Sequence, residues 1–330
     1  MKNKPSLRPP RLCGEKILLL LRYRNLELGA LSTLNGCLPK SVIMETGKTI
    51  MPITIYSAPG CLRCKIVKQF LNDKGRTYRD FDALGEGRKT FKTFYRNNRE
   101  KIYRGPDGVE FPIFSDGETV RQGLPMVLAH LIAGPALKGF FKHGLLHGQW
   151  VDGIHISGGD PIHGEKFLNV LFHLKQQRLK LQIETNGVNA SLLEQVFDRE
   201  LADRVIMEVK GPLELYDSLL QQPVDPQEIR SSIVRVSRCD DYYFYTSIAP
   251  VIRKNDEPGQ FSYITPQEIA EAARLIKEAA GDNRQPYRLS AFDPRTADDP
   301  RLRGYGALAK NEMFKYRRMA RKHQFKTEII

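Results

Sequence analysis

The clearest chemical signal in the sequence comes from two cysteines three positions apart, in Ser57-Ala-Pro-Gly-Cys61-Leu-Arg-Cys64. A strand is predicted before Pro59-Gly60 and a helix after it, so Cys61 should stand at the start of the helix. Free N–H groups and the helix dipole favour an anion there, which predicts that Cys61 is the reactive thiolate. Arg63 adds positive charge, and Cys64 lies one turn on, where it can resolve a mixed disulfide at Cys61. A buried structural pair is the alternative.

The elements around this pair follow the order β-α-β-α-β-β-α. The helix after Cys61 has an apolar face at helical spacing, formed by Ile66, Val67, Phe70 and Leu71. The remaining predicted elements are a strand from residue 51, a strand at 77–81, a helix containing Phe91 and Phe94, a strand at 111–114, a turn at Asp116-Gly117 and a helix at 124–133. This order predicts a small thioredoxin-like unit.

Residues 51–133 resemble the glutaredoxins in Ile55-Tyr-Ser-Ala-Pro-Gly-Cys-Leu-Arg-Cys64 and in Phe111-Pro112. The resemblance implies a cis Pro112 facing the dithiol, with Phe111 offering backbone hydrogen bonds to a bound peptide or glutathione. It implies a thiol–disulfide oxidoreductase whose partner is a disulfide-containing protein or a low-molecular-weight thiol, with glutathione or a thioredoxin-type reductant as electron donor. The segment 83–108 is long, and the family's Gly-Gly-Asp element is not evident after Gln122-Gly123. These departures weigh against glutathione as the partner.

The pattern of predicted secondary structure changes near Gly134-Pro135. The predicted strands there are 151–157, 181–185, 204–209, 243–249 and 287–292, and the predicted helices between them include 165–178, 190–201 and 266–280. This alternation is typical of a parallel sheet, whose ligands bind where the strands end. The expected organisation is therefore an extension at 1–50, where Met51 could be the true start, a glutaredoxin-like domain at 51–134 and an α/β domain at 135–330.

Residues 144–330 resemble the radical SAM activating enzymes, in particular the activators of anaerobic ribonucleotide reductase. The resemblance is carried by Ser157-Gly-Gly-Asp-Pro161, Ile183-Glu-Thr-Asn-Gly187, Val205-Ile-Met-Glu-Val-Lys-Gly211 and Tyr287-Arg-Leu-Ser-Ala-Phe-Asp-Pro294. It implies a partial (β/α) barrel that binds the amino group of S-adenosylmethionine at Gly158, Gly159, Asp160 and Pro161. Thr185, Asn186 and Lys210 should then point into the same cleft. Alternatively, these glycines are required only by the backbone conformation of the loops.

The family's Cys-x-x-x-Cys-x-x-Cys cluster motif is missing, because no cysteine stands between Cys64 and Ser157. The second domain is therefore predicted to be degenerate, and the main expectation is an oxidoreductase that uses Cys61 and Cys64. One alternative is a radical SAM activating enzyme whose [4Fe-4S] cluster is held partly by these two cysteines, since Ser57-x-x-x-Cys61-x-x-Cys64 keeps the spacing. Another is a non-catalytic protein that binds S-adenosylmethionine, a nucleotide or a partner and is regulated by the dithiol.

The composition excludes several other classes of protein. The 330 residues carry a formal charge of +13, and 41% of them are hydrophobic, which excludes a disordered or fibrous chain. The charge is interpreted as a solvated basic surface, without a nucleic-acid module. No apolar run is long enough to span a membrane, so a cytoplasmic location is expected. No metal site is expected: His143 and His147 lack a third ligand nearby, and Cys239 is interpreted as a plain thiol.

Overall fold

The structure is a computed structural model that describes residues 52–105, 108–251, 253, 261–296, 300–306 and 308–330. The extension predicted at 1–50 and the question of Met51 fall outside these residues. Within the described ranges, no helix is both long and apolar enough to cross a membrane.

The described chain before residue 134 alternates short strands with three α-helices. The strands are β1 (Ile53–Ser57), β2 (Tyr78–Asp82), β3 (Arg104–Gly105), β4 (Gly108–Val109), β5 (Ile113–Ser115) and β6 (Val120–Gln122). The helices are α1 (Leu62–Asp73), α2 (Arg88–Asn97) and α3 (Leu124–Ala133). The predicted order of elements is confirmed, with a two-stranded ribbon, β3–β4, inserted in the long segment before β5.

Four of these strands form one mixed sheet in the order β2-β1-β5-β6. Strand β1 runs parallel to β2 and antiparallel to β5, and Ile55 is the register partner of both Asp80 and Phe114. Helices α1 and α3 cover the sheet face that carries Ile55. Helix α2 covers the other face, where the ring of Phe94 stacks 4.4 Å from that of Tyr56. This sandwich fixes the carboxyl end of β1, from which the dithiol helix begins.

The described chain after residue 149 is built around a second sheet. Its strands are β7 (Trp150–His155), β8 (Lys180–Thr185), β9 (Arg204–Glu208), β10 (Tyr242–Ile248), β11 (Pro250–Val251), β12 (Ser262–Tyr263), β13 (Tyr287–Ala291) and β14 (Thr327–Ile329). Its helices are α4 (Gly164–Gln176), α5 (Ala190–Asp198), α6 (Tyr216–Leu220), α7 (Pro226–Val236), α8 (Pro266–Ala280) and α9 (Lys310–Ala320). Helix α8 shows how local sequence sets these bounds: Thr265 and Glu268 form a capping box, and Gly281 ends the helix in the left-handed conformation.

Six strands form an open sheet in the order β14-β13-β10-β9-β8-β7, and every neighbouring pair in it is parallel. The five strands predicted for this half are confirmed. The sixth, β14, was missed, because a three-residue strand shows too little alternation to be recognised. Apolar side chains of one sheet face, such as Ile183, Val205 and Met207, are buried in the core with helices α4, α5, α7 and α8.

The two sheets share one hydrophobic core. The buried residues of α1 and α3 belong to the same cluster as those of α4, and the ring of Phe70 meets that of His173 edge-on at 5.1 Å. The connecting segment then covers the free edge of β7, because the backbone of Phe140 accepts from His155 and that of Lys142 donates to Gly153. An exposed strand edge is a site for unwanted pairing, so this cover protects the sheet.

Candidate functional site

The dithiol lies at the N-terminus of α1, as predicted. Cys61 is the N-cap residue, and its sulfur accepts a hydrogen bond from the backbone N–H of Cys64 at 3.1 Å. The two sulfurs lie 2.16 Å apart, at disulfide distance. Cys64 is 1% exposed, whereas Cys61 is only half-buried. An incoming sulfur can therefore reach Cys61 more easily than Cys64, which matches the roles assigned to them from the sequence.

Phe111, directly before Pro112, stands against this pair. The Phe111–Pro112 peptide bond is cis, which confirms that part of the expectation for Pro112. The carbonyl oxygen of Phe111 lies 4.0 Å from the sulfur of Cys61. The structure therefore brings the motif Cys61-x-x-Cys64 and the motif Phe111-Pro112 together, although 50 positions separate them in sequence.

Arg63 joins the two halves of the chain. Its guanidinium donates to Glu110 Oε1 at 2.9 Å, to the carbonyl oxygen of Trp150 at 2.8 Å and to that of Leu146. The Arg63 and Glu110 side chains are only 12% and 15% exposed. The positive charge expected near Cys61 is present, but a carboxylate and two carbonyl groups already engage it.

Glu110 is a site residue that sequence analysis missed. Burial raises the pKa of its carboxyl group, and the opposing effect of Arg63 does not cancel that rise. Its Oε2 atom is buried and has no hydrogen-bond partner in the described part of the chain. The available signal was its position directly before Phe111-Pro112, in a segment otherwise rich in basic residues.

A groove of about 240 Å³ opens beside Cys61. Its walls come from Tyr103 and the β3–β4 ribbon that follows it, from Phe111, and from the loop that precedes β7. That loop contributes Leu145. The surroundings of the dithiol therefore include a segment that follows the predicted boundary near residue 134.

The residues matched to the S-adenosylmethionine loop follow β7, at the carboxyl edge of the sheet. The space beside their glycines is filled by the protein itself: a Cβ atom on Gly159 would lie 2.1 Å from the ring of Phe140, and one on Gly158 would lie 2.4 Å from the carbonyl oxygen of Gly139. Asp160 and Pro161 are exposed, and the Asp160 carboxylate caps its own short turn by accepting from the N–H of Ile162. These glycines thus have a packing role that is independent of any ligand.

Thr185 and Asn186 lie next to that loop, and Ser157 connects them to it. The Ser157 hydroxyl lies 2.9 Å from the Thr185 hydroxyl and accepts from the backbone N–H of Asn186 at 3.0 Å. Lys210 follows β9 at the same sheet edge, where its ammonium group pairs with Glu208 at 2.5 Å. Ser157 and Glu208 were not predicted as site residues, although both stand inside the matched motifs.

The sheet face opposite the helices is polar. In register across neighbouring strands, His155 pairs with Glu184, and Glu208 pairs with Tyr245. His155 Nδ1 lies 3.2 Å from Glu184 Oε2. Burial raises the pKa of Glu184 to about 7, with Asp152 adding to the rise, and burial lowers the pKa of His155 to about 4. Shifts of this size are typical of functional sites as well as of structural clusters.

The described residues offer three cysteines as possible ligands of an iron–sulfur cluster. Their cysteines are Cys61, Cys64 and Cys239, and the first two are within bonding distance of each other. Burial raises the pKa of the Cys239 thiol to about 12, which opposes its ionisation as a ligand. No group of three metal-binding side chains occurs in the ranges that the structure describes. The remaining cysteines of the sequence, Cys13 and Cys37, could complete a cluster under the radical SAM alternative, but they fall outside those ranges.

Comparisons with known proteins support the resemblance to activating enzymes and not the resemblance to glutaredoxins. No family model matches it. A curated protein of Methanocaldococcus jannaschii, provisionally named a glycyl-radical enzyme activating enzyme, is 22% identical over 178 residues, which are 53% of this chain and 68% of that protein. A domain of the pyruvate-formate lyase-activating enzyme from Bacteroides vulgatus matches 55% of this chain and 99% of its own at 16% identity, with a TM-score of 0.38, too low to support an argument. The chain is thus distantly similar to a glycyl-radical enzyme activating enzyme.

Proposed function

We propose that the protein is a thiol–disulfide oxidoreductase that uses Cys61 and Cys64 and is built on a scaffold related to radical SAM activating enzymes. The observation that carries the proposal is the setting of Cys61: its sulfur caps α1, receives the Cys64 N–H and lies 4.0 Å from the Phe111 carbonyl oxygen. The sheet order β2-β1-β5-β6, with the dithiol helix leaving the end of β1, supports a glutaredoxin-like assignment.

The arrangement supports a two-electron exchange. A thiol reductant first opens the Cys61–Cys64 disulfide and leaves a Cys61 thiolate, which the helix N-terminus stabilises. That thiolate attacks a substrate disulfide, forming a mixed disulfide and expelling one substrate thiolate, which takes up a proton. Cys64 then loses its proton and attacks Cys61, releasing the second substrate thiol and restoring the Cys61–Cys64 bond. Each turnover transfers two electrons and two protons to the substrate.

Single cysteine variants test this assignment. Cys61→Ser should abolish reduction of a small disulfide, whereas Cys64→Ser should accumulate a mixed disulfide at Cys61 that mass spectrometry detects. Cys239→Ser is the matched control and should retain activity, because burial raises the pKa of the Cys239 thiol and keeps it protonated. Equal alkylation rates of Cys61 and Cys64 in the reduced protein at pH 6 would contradict the roles given to them.

A second candidate is a radical SAM activating enzyme, and the similarity to the Methanocaldococcus jannaschii protein favours it. When bound, a cluster would supply the electron that cleaves S-adenosylmethionine. Iron and acid-labile sulfide assays on the anaerobically purified full chain distinguish the candidates. Stoichiometric iron and sulfide, together with 5′-deoxyadenosine formation that Cys61→Ala abolishes, would establish the second candidate. A colourless protein with two titratable thiols would support the first.

A further inference from the structure

The groove beside Cys61 has one wall from each half of the chain. Tyr103 contributes the first wall and is 41% exposed, and Leu145 contributes the second and is 65% exposed. Both side chains line the same groove as Cys61, so a molecule that reaches the Cys61 sulfur through this groove would meet them.

The Tyr103 wall is held in place from behind. The buried side chain of Gln122 accepts from the backbone N–H of Tyr103 at 2.8 Å, and its amide donates to the carbonyl groups of Tyr103 and Glu110. The ring of Tyr103 also stacks on that of His143 at 5.1 Å, which fixes its position further.

The Leu145 wall is held by a carboxylate. Asp152, on β7, accepts from the backbone N–H of Leu145 at 2.9 Å and from that of Leu146 at 3.1 Å. A Cβ atom on Gly144 would lie 2.5 Å from the same carboxylate, so a larger residue there would have to displace Asp152. Both walls are therefore preorganised, which lowers the entropic cost of binding a partner.

The charges of the groove disfavour an anionic partner. Arg63 already donates to Glu110, Trp150 and Leu146, and its guanidinium is only 12% exposed. The Glu110 carboxylate lies in the same lining and would repel another carboxylate, and the lining also contains Tyr103 and His147. Glutathione carries two carboxylates, whereas an apolar peptide side chain meets no such penalty.

We propose that this groove selects cysteine-containing polypeptides with a large apolar residue next to the reactive cysteine, and disfavours glutathione. The inference rests on the proposed exchange chemistry and adds a substrate class to it. The apolar side chain lies between Tyr103 and Leu145 while the substrate sulfur meets Cys61. The electrons come from the Cys61–Cys64 dithiol, which dithiothreitol regenerates in the assay.

The test compares three substrates on the full chain. Two are peptide disulfides that differ only in carrying Leu or Gly beside the cysteine, and the third is glutathione disulfide. We expect the Leu peptide to be reduced about tenfold faster than the Gly peptide, the range that one apolar side chain supplies in a hydrophobic site. Leu145→Ser and Tyr103→Ser should each bring this ratio close to one. Phe325→Ser is the control, since Phe325 is 73% exposed and lies beside β14, at the opposite sheet edge from β7.

The outcomes separate the two proposals. Loss of the Leu preference in Leu145→Ser and Tyr103→Ser, with Phe325→Ser unchanged, supports the groove. Equal reduction of the two peptides by the unmodified chain, or faster reduction of glutathione disulfide than of the Leu peptide, overturns the groove and leaves the exchange chemistry intact. If the protein reduces none of these three substrates, and does not reduce a small aromatic disulfide either, the proposed function itself is overturned.

Discussion

At the scale of single residues, burial separates side chains that the sequence presents as equivalent. Cys64 is enclosed while Cys61 remains accessible, and Arg63 between them is turned towards Glu110. On the six-stranded sheet, burial raises the pKa of Glu184. Each of these differences has a measurable consequence.

The Arg63–Glu110 pair should be important for stability. Removing one partner of a poorly exposed ion pair leaves the other charge buried, so Arg63→Met should lower the free energy of unfolding by about 3 kcal/mol. Urea denaturation followed by the fluorescence of Trp150, the single tryptophan, measures this loss. The double variant Arg63→Met/Glu110→Gln should lose less than the sum of the two single variants.

A surface pair provides the control for that experiment. Arg199 and Glu165 pair at a similar distance, 2.7 Å, but their side chains are 44% and 68% exposed. Arg199→Met should therefore change the stability much less than Arg63→Met does, because solvent screens the exposed pair. A similar loss in both variants would show that burial of the Arg63–Glu110 pair has no special effect.

Glu184 should make stability depend on pH. Its pKa in the folded protein, about 7, lies above the ordinary value of 4.5, so the folded state binds more protons between these values. Stability from this group is complete at low pH and is lost as pH rises towards 7. Glu184→Gln mimics the protonated form, so at pH 8 it should be more stable than the unmodified chain by about 1–3 kcal/mol, with little difference at pH 5.

Parallel urea titrations at the two pH values measure this effect. Glu86→Gln, at an exposed carboxylate, is the control and should show no such difference between them. An equal stability difference at pH 5 and pH 8 would contradict the raised pKa.

At the scale of elements, the connecting segment after α3 does more than join two sheets. It covers the edge of β7 and packs against the loop that follows that strand. Gly159 is needed there because the ring of Phe140 occupies the space of a side chain. The glycine motif is therefore explained by packing, whether or not a ligand also binds nearby.

Gly159→Ala should consequently destabilise the protein. A methyl group would overlap the Phe140 ring, and overpacking of this kind costs about 1–3 kcal/mol or more. Gly304→Ala is the matched control, because a Cβ atom there would contact nothing within 4 Å. Unfolding free energies of the two variants give the comparison, and equal losses would exclude the contact with Phe140 as the cause.

At the scale of the whole molecule, the shared core links the dithiol sheet to the parallel sheet. Helices α1 and α3 contribute to the same buried cluster as α4, and Arg63 donates to the carbonyl groups of Leu146 and Trp150 beyond the connecting segment. The four-stranded and the six-stranded sheet therefore bury apolar side chains in one common core.

This shared core predicts cooperative unfolding of residues 52–330. In urea, fluorescence of Trp150 at the start of β7 reports on the parallel sheet, and labelling of the buried Cys64 thiol in the reduced protein reports on the dithiol sheet. The two probes should give one coincident transition. Two separated midpoints would show instead that the parts predicted at 51–134 and 135–330 unfold independently.

The sequence by itself determined the local features. The spacing of Cys61 and Cys64, the turn before them and the apolar period of α1 were enough to predict a dithiol at a helix start. Alternating strands and helices were enough to predict five strands of the parallel sheet. These features depend on residues close together in the chain, where periodicity and turn chemistry act directly.

Only the tertiary structure decided which distant residues meet. It brought Glu110 to Arg63, Leu145 to the groove beside Cys61 and Phe140 to Gly159. It also placed Glu184 beside His155, on the face opposite the helices. These contacts depend on how two sheets pack through one core, and packing is set by the shapes of side chains far apart in the chain, which no local pattern in the sequence records.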